Sequence, residues 1–262
     1  MKSVRDFSAY LFDLDGTVYL GADIIPGAVE AITSLKAAGR VVMFLSNKPI
    51  ATRKSYADKL TALGIPTTED EVLNSSQGLA YWMKQEMPGA RAYIIGEQPV
   101  LDDLAAAGII SVTDPLEAEV VVVSWDRNFS YKQMNDALQA LTAGARLVAT
   151  NPDVSCPVDG GLFVPDCGAM VAAIEACSGR QVEIYGGKPS PIMGELALAR
   201  IGLSAKDCLM VGDRVHTDIL FGYNAGMSTA LVLTGAGKLV PLSQAPAAPD
   251  FILQSVADLR LS

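Results

Sequence analysis

The stretch Tyr10-Leu11-Phe12-Asp13-Leu14-Asp15-Gly16-Thr17 decides the fold, because an apolar run ends there in two carboxylates and a glycine. Residues 10–14 are apolar except for Asp13, which is typical of a strand covered on both faces. Asp13 and Asp15 are two residues apart, so an extended chain directs both side chains to one side. Two such anions repel each other unless a cation lies between them. An ordinary strand-to-turn junction explains this stretch equally well when it is taken alone.

The composition limits the class of protein. The chain has 262 residues, of which 50% are hydrophobic, so it can bury one large core or two modest ones and is not disordered. Lys and Arg number 20 against 29 Asp and Glu, and the net charge of −9 argues against nucleic acid or an anionic membrane as the main partner. A small anionic substrate is still compatible, since a metal ion and one lysine reverse the charge locally.

The sequence favours a cytoplasmic protein. No secretory segment precedes the first strand, and no apolar run is long enough to span a bilayer. The cysteines have no CxxC spacing, so we expect reduced thiols and neither a zinc site nor a disulfide framework. They are Cys156, Cys167, Cys177 and Cys208.

Strand and helix patterns alternate along the chain, which predicts an α/β fold with a doubly wound, Rossmann-like parallel sheet. After the first strand, the predicted strands are 41–45, 92–95, 120–124, 146–149, 182–185, 208–211, 229–233 and 251–253, and a Pro/Ala-rich loop covers 241–249. Among the predicted helices are 52–63, 74–87, 100–107, 131–143, 169–177, 191–201 and 217–225. Ligands of such sheets bind beyond the carboxyl ends of the strands, where Asp13 and Ser46 both fall.

The middle of the chain is too long for one doubly wound core. About 140 residues separate Ser46 from Lys188, and a βαβ unit needs only roughly 30. The sequence therefore predicts a discontinuous core, residues 1–76 and 183–262, with an inserted, smaller α/β cap domain at 77–182.

Two later stretches could be partners of the first carboxylates. Lys188 lies in Gly186-Gly187-Lys188-Pro189-Ser190-Pro191, where its ammonium suits a phosphate oxygen, although a solvated loop lysine is the commoner explanation. Asp213 and Asp218 follow another apolar strand around a helix start, where capping explains one carboxylate but not both. Hard oxygen ligands suit Mg²⁺, and no His/Cys cluster indicates zinc. His216, the single histidine, has no triad spacing and is expected at the surface or in a supporting position.

Taken together, these residues resemble a known family. Asp13-Leu14-Asp15-Gly16-Thr17, Ser46, Lys188 and Gly212-Asp213 with Asp218 resemble, in order, the four motifs of the haloacid dehalogenase (HAD) superfamily. Within it the chain resembles the NagD-like, or p-nitrophenylphosphatase-like, phosphatases of type IIA, which carry a C2a cap. Stretches 45–48, 149–153, 187–191 and 212–219 support this. Ser46 stands where the family often has Thr, and it keeps the hydroxyl.

The resemblance implies a Mg²⁺-dependent phosphomonoesterase. Asp13 would be the nucleophile that forms an aspartyl-phosphate, and Asp15 the general acid and then the base. Mg²⁺ would be held by the Asp13 carboxylate, the Asp15 backbone carbonyl and Asp213, and Asp218 would support that shell or orient Lys188.

The same resemblance implies how substrate is bound. Ser46, the Asn47 backbone amide and Lys188 would bind phosphoryl oxygens. Cap loops 124–131 and 149–161 would contact the leaving group, or would simply carry polar residues in water. The candidate contacts are Asp126, Arg127, Asn128, Asn151 and Asp153.

Several functional alternatives stay open at this point. The partner would be a small phosphorylated metabolite, with sugar phosphates favoured and nucleoside monophosphates next, and a homodimer through the cap is compatible with the family. A phosphotransferase and a catalytically silent HAD-fold binding or regulatory protein are the alternatives. A receiver-type phosphoacceptor domain is disfavoured, because Ser46 occupies the second site and a long insert follows.

Overall fold

The computed structural model describes residues 3–158, 162–236 and 245–261. Its strands are β1 (Ala9–Asp13), β2 (Tyr19–Leu20), β3 (Asp23–Ile24), β4 (Val41–Ser46), β5 (Val72–Asn74), β6 (Arg91–Ile95), β7 (Ile110–Ser111), β8 (Val120–Val123), β9 (Arg146–Ala149), β10 (Ser155–Val158), β11 (Leu162–Pro165), β12 (Ile184–Tyr185), β13 (Cys208–Gly212), β14 (Ser228–Val232) and β15 (Phe251–Leu253). Its α-helices are α1 (Ala28–Ala37), α2 (Arg53–Ala62), α3 (Ser75–Glu86), α4 (Gln98–Ala106), α5 (Tyr131–Thr142), α6 (Cys167–Ser178), α7 (Ile192–Ile201) and α8 (Leu220–Asn224).

The described chain divides into two compact units, each with its own main sheet. The core unit comprises residues 3–46, 53–73, 194–236 and 245–261. The insert unit comprises residues 47–52, 74–158 and 162–193, and it interrupts the core unit in the sequence. The predicted α/β class, a parallel core with an inserted smaller α/β unit, is confirmed.

The core unit is built on a six-stranded sheet in the order β15-β14-β13-β1-β4-β5. The pairs from β15 to β4 are all parallel. Residues 9–12 of β1 are fully buried, and successive side chains of a strand point to opposite faces, so both faces of the sheet are covered. β1 is therefore an interior strand that is covered on both faces, as its apolar sequence predicts.

The carboxyl edge of this sheet gathers the predicted site residues of the core unit. Asp13 ends β1, Ser46 ends β4, and Asp213 directly follows β13. Because neighbouring parallel strands end on the same side, side chains from distant parts of the sequence lie at one edge.

The insert unit has a five-stranded sheet in the order β12-β9-β8-β6-β7, and each of its pairs is parallel. All four valines of β8 are fully buried, as a strand packed on both faces requires. An antiparallel hairpin of β10 and β11 also belongs to this unit and exposes Leu162 and Phe163.

Several predicted elements differ from the structure. The strand at 182–185 was grouped with the core by the sequence, but β12 pairs with β9 of the insert sheet. The helix predicted at 217–225 begins as a π-helical turn, Val215–Ile219, before α8. Strands β5 and β7 and the two hairpins, β2–β3 and β10–β11, were not predicted, since short strands carry little periodicity. The predicted domain boundaries, 76/77 and 182/183, stay a prediction.

Part of the sequence prediction lies outside the described residues: positions 159–161 of the second cap loop and 241–244 of the Pro/Ala-rich loop. Within the described ranges, no helix combines the length and hydropathy needed to cross a membrane. Cys156, Cys167, Cys177 and Cys208 are free thiols.

Candidate active site

The turn after β1 shapes the first part of the site. The carbonyl of Leu14 accepts hydrogen bonds from the N–H groups of residues 17, 18 and 19, at 3.2, 2.9 and 3.2 Å, which folds the chain back directly behind Asp13. Gly16 has a φ of +88°, a conformation that favours glycine. The Thr17 hydroxyl donates to Oδ2 of Asp13 at 3.4 Å, so the turn also orients this carboxylate.

The segment after β13 supplies two more carboxylates. Asp213 and Asp218 are both buried, and the N–H of Arg214 donates to Oδ2 of Asp218 at 3.0 Å. A Cβ at Gly212 would overlap the side chain of Asp218, so this position needs glycine. The wide π-helical turn over Val215–Ile219 brings Asp218 back beside the strand end.

Asp13, Asp213 and Asp218 form a compact acidic cluster, in which each residue offers an oxygen within 4.8 Å of the others. Burial, followed by the charges of Asp13 and Asp218, raises the pKa of Asp213 to about 7. Oδ1 of Asp213 is buried and has no hydrogen-bond partner among the described residues. Carboxylate oxygens are hard ligands that divalent cations prefer, and a bound cation would also give the buried Oδ1 of Asp213 a partner. The residues of the cluster therefore fit a metal ion.

The loop after β14 completes this side of the site and was missed by the sequence prediction. The N–H of Ala236 donates to Oδ2 of Asp213 at 2.7 Å, and the Thr234 hydroxyl donates to the carbonyl of Gly16 at 2.6 Å. A Cβ at Gly235 would overlap Oδ2 of Asp213. The available signal was a Thr-Gly-Ala run directly after a predicted strand, where parallel sheets bind ligands.

Ser46 and Asp15 lie at the same sheet edge as the acidic cluster. Ser46 is buried at the end of β4, and its hydroxyl donates to the hydroxyl of Tyr56 at 3.5 Å. Asp15 is half-buried in the turn after β1 and is not a member of the cluster. His216 is exposed, in agreement with the predicted surface position.

Lys188 and Asn47 belong to the insert unit and are held together there. Lys188 is almost completely buried. Its backbone N–H donates to Oδ1 of Asn47, and Nδ2 of Asn47 donates to its carbonyl, both at 2.9 Å. Nδ2 of Asn47 also donates to Oδ2 of Asp153 at 2.8 Å.

The first predicted loop of the insert unit follows β8. Oδ1 of Asp126 accepts from the N–H of Asn128 at 2.8 Å, and Oδ2 accepts from Nε2 of Gln133 at 2.7 Å. The Arg127 guanidinium makes two 2.6 Å bonds to the carboxylate of Glu97, and this contact lowers the pKa of Glu97. An open cavity of 470 Å³ lies beside this loop, lined by Trp125, Asp126, Arg127, Phe129, Val164, Pro165, Ala169 and Met170.

The chain matches known protein families and characterised relatives over most of its length. Residues 10–110 match the family of haloacid dehalogenase-like hydrolases, and residues 185–259 match a second family of HAD-like hydrolases. The sugar-phosphatase AraL of Bacillus subtilis (strain 168) is 38% identical, over 95% of this chain and 90% of that protein. The chain belongs to the haloacid dehalogenase superfamily. The 5'-nucleotidase YutF of the same organism is 34% identical, over 97% and 98% of the two chains.

Solved structures of this superfamily resemble the chain over nearly its full length. A p-nitrophenyl phosphatase from Archaeoglobus fulgidus superimposes with a TM-score of 0.89, at 32% identity over 97% of this chain and 98% of that one. NagD from Escherichia coli K-12 superimposes with a TM-score of 0.86, at 30% identity over 96% and 98%. The NagD and p-nitrophenylphosphatase resemblance is thus confirmed, and the chain is a phosphatase of the HAD superfamily.

Proposed function

We propose that this HAD phosphatase is Mg²⁺-dependent and hydrolyses phosphomonoesters of small metabolites, with sugar phosphates favoured and nucleoside monophosphates next. The acidic cluster carries the proposal, because its orphaned Asp213 oxygen needs a cation at the edge where Asp13 ends β1. The relative named as a sugar phosphatase supports the first substrate class, and the relative named as a 5'-nucleotidase supports the second. The sugar phosphatase has the higher sequence identity of the two.

Asp13, Asp213 and the backbone carbonyl of Asp15 would hold Mg²⁺, and Asp218 would support that shell. Asp218 offers an oxygen to the same cluster, so it also has the chemistry of a direct ligand. A bound Mg²⁺ would neutralise charge on the phosphoryl oxygens and on the clustered carboxylates.

The reaction would run in two displacements on Asp13. First, a carboxylate oxygen of Asp13 attacks phosphorus, the bond from phosphorus to the leaving oxygen breaks, and Asp15 gives its proton to the departing alkoxide. Asp15 then takes a proton from water, which attacks the aspartyl-phosphate, so phosphate leaves and Asp13 is restored. The bond from Thr17 to one Asp13 oxygen keeps the nucleophile in a single orientation.

Ser46, the Asn47 backbone amide and Lys188 would bind the phosphoryl oxygens. A hydroxyl, an N–H and an ammonium are donors, and donors stabilise the charge that the oxygens carry in the transition state. Burial of Ser46 and Lys188 strengthens this effect, because a low local dielectric increases electrostatic attraction.

Asp126, Arg127 and Asn128 would contact the leaving group. Arg127 is exposed although it is paired with Glu97, so its guanidinium keeps donors for a hydroxyl-rich ligand. The sequence predicts the same contact for Asn151 and Asp153. A homodimer through the cap and a cytoplasmic location also stay predictions, which size-exclusion chromatography with light scattering and cell fractionation would test.

The proposal is tested by phosphate release from p-nitrophenyl phosphate with Mg²⁺, with Asp13→Asn as the control. Turnover no higher than that of the control would contradict the proposal and favour a catalytically silent HAD-fold binding protein. A panel of phosphorylated metabolites, compared by kcat/KM, then ranks sugar phosphates against nucleoside monophosphates. Formation of a new phosphoester on an added alcohol, in place of free phosphate, would identify a phosphotransferase.

A further inference from the structure

The side chain of Asn47 acts as a clamp on the backbone of Lys188. It accepts from the Lys188 N–H and donates to the Lys188 carbonyl, each at 2.9 Å, although 141 positions separate the two residues. A Cβ on Gly187 would lie 2.5 Å from Oδ1 of Asn47, so the chain before Lys188 is seated directly against this amide. The backbone of Lys188 is therefore positioned by one side-chain amide.

An amide can perform this double contact in only one of its two orientations. Turning the Asn47 amide by 180° would place its NH₂ against the Lys188 N–H and its oxygen against the Lys188 carbonyl. Oδ2 of Asp153 accepts from Nδ2 of Asn47 at 2.8 Å. Because Oδ2 of Asp153 accepts from this NH₂ group, Asp153 favours the same orientation of Asn47 that bonds Lys188.

Asp153 is in turn held by a buried network. Nδ2 of Asn151 donates to Oδ2 of Asp153 at 3.2 Å and to Oδ1 of Asp166 at 3.1 Å. Asp166 is the N-cap of α6, and its Oδ1 accepts from the N–H of Cys167 at 2.6 Å. Asn151 is 0% exposed and Asp166 is 2% exposed, so water does not compete for the bond between these two side chains. The network thus runs from the start of α6 to Lys188 within the insert unit.

We propose that Asp153 is a positioning residue for Lys188, acting through the Asn47 amide, with Asn151 as its support. This inference rests on the proposed role of Lys188 at the phosphoryl group. The positioning role differs from the sequence prediction, in which Asn151 and Asp153 contact the leaving group. A residue that positions the phosphate-binding lysine affects every phosphoester alike, whereas a residue that contacts the leaving group affects some substrates more than others.

The test uses Asp153→Ala, Asp153→Asn and the control Asp102→Ala. Asp102 lies on α4 of the same unit and accepts one exposed hydrogen bond, from Gln98 at 2.7 Å. We expect Asp153→Ala to lower kcat/KM by roughly 10- to 100-fold for p-nitrophenyl phosphate and for a sugar phosphate equally. Asp153→Asn should recover part of the loss, since its side-chain oxygen can still accept from Asn47, and Asp102→Ala should not differ from wild type.

Inorganic phosphate, which has no leaving group, gives the discriminating measurement. Calorimetric titration with Mg²⁺ present should show that Asp153→Ala weakens phosphate binding by the same factor of roughly 10 or more. A changed substrate ranking with unchanged phosphate affinity would overturn the inference and return Asp153 to the leaving group. If Asp153→Ala does not fold, as judged by circular dichroism, Asp153→Asn carries the comparison, with a smaller loss expected that is equal in kcat/KM and in phosphate affinity.

The two proposals fail separately. If the wild type binds phosphate without turnover and Asp153→Ala weakens that binding, the positioning role stands and the proposed hydrolysis fails. If the wild type turns over and Asp153→Ala equals Asp102→Ala in both measurements, hydrolysis stands and the positioning role is overturned.

Discussion

The backbone N–H of Ala236 donates to Oδ2 of Asp213 at 2.7 Å, whereas Oδ1 of the same carboxylate is buried and has no partner within the described part of the chain. One oxygen is thus bound by the protein, and we expect a cation to bind the other. A buried, unpaired carboxylate oxygen destabilises the fold by about 1–3 kcal/mol unless something binds it. The site is therefore built to be completed by a ligand.

Asp213→Asn should uncouple stability from Mg²⁺. In EDTA at pH 8 we expect the variant to have a higher Tm than wild type, because its NH₂ can donate to the neighbouring carboxylates and their mutual repulsion is reduced. Each kcal/mol of repulsion removed should raise the Tm by about 2–4 °C. Added Mg²⁺ should raise the Tm of wild type but not of the variant, as thermal unfolding followed by circular dichroism would show. Equal Mg²⁺ stabilisation of both proteins would rule out Asp213 as a ligand.

Asp13→Asn and Asp15→Asn should differ in their effect on metal binding. Asp13 is a member of the acidic cluster and Asp15 is not, so only Asp13→Asn should weaken Mg²⁺ binding through its side chain. Asp15→Asn should lower kcat by about 10²- to 10⁴-fold, because it removes the proposed general acid. Isothermal titration with Mg²⁺, alongside single-turnover kinetics, separates the two effects. Equal loss of Mg²⁺ affinity in both variants would contradict this division of roles.

Gly16→Ala should damage the site beyond its backbone strain. Gly16 has a φ of +88°, and an added Cβ would lie 2.5 Å from Oδ2 of Asp213. Gly39→Ala is the matched control, since Gly39 has a φ of +73° with nothing within 4 Å of the added atom. We expect both variants to lose about 1 kcal/mol through the left-handed conformation. Only Gly16→Ala should also lose Mg²⁺ stabilisation and turnover, and similar phosphatase activity in the two variants would refute the steric argument.

Asp166 should give the stability of the protein a measurable pH dependence. Burial raises the pKa of Asp166 from 3.8 to about 6, so the folded state binds a proton more tightly than the unfolded state. Its contribution to stability is therefore fully present below about pH 4 and is lost as the pH rises through 6. As the pH rises through this range, the free energy of unfolding of wild type should fall by up to about 3 kcal/mol relative to that of Asp166→Asn.

Urea unfolding of wild type and Asp166→Asn at pH 4.5 and 7.5 would measure this difference. The Asn side chain can still accept from the Cys167 N–H, so the comparison isolates the ionisation from the loss of the cap. A difference in unfolding free energy that does not change with pH would show that Asp166 ionises as it does in the unfolded chain.

The sequence by itself determined the class of fold and the chemistry of the core site. Apolar strands such as β1 have to be buried on both faces, and their alternation with helices predicts a parallel sheet with Asp13, Ser46 and Asp213 at its carboxyl edge. The spacing of the motifs also predicted an inserted unit. The strands and their ends are local features, because hydrophobic periodicity is set by neighbouring residues.

Only the tertiary structure decided which distant groups meet. The bond from Ala236 to Asp213, the membership of Asp218 in the acidic cluster, the pairing of β12 with β9 and the clamp of Asn47 on Lys188 all join residues from separate elements. Asp153 reads from the sequence as a polar loop residue, but its carboxylate is engaged with two buried amides. Side-chain hydrogen bonds of this kind depend on sub-ångström placement after packing, which no local pattern of residues encodes.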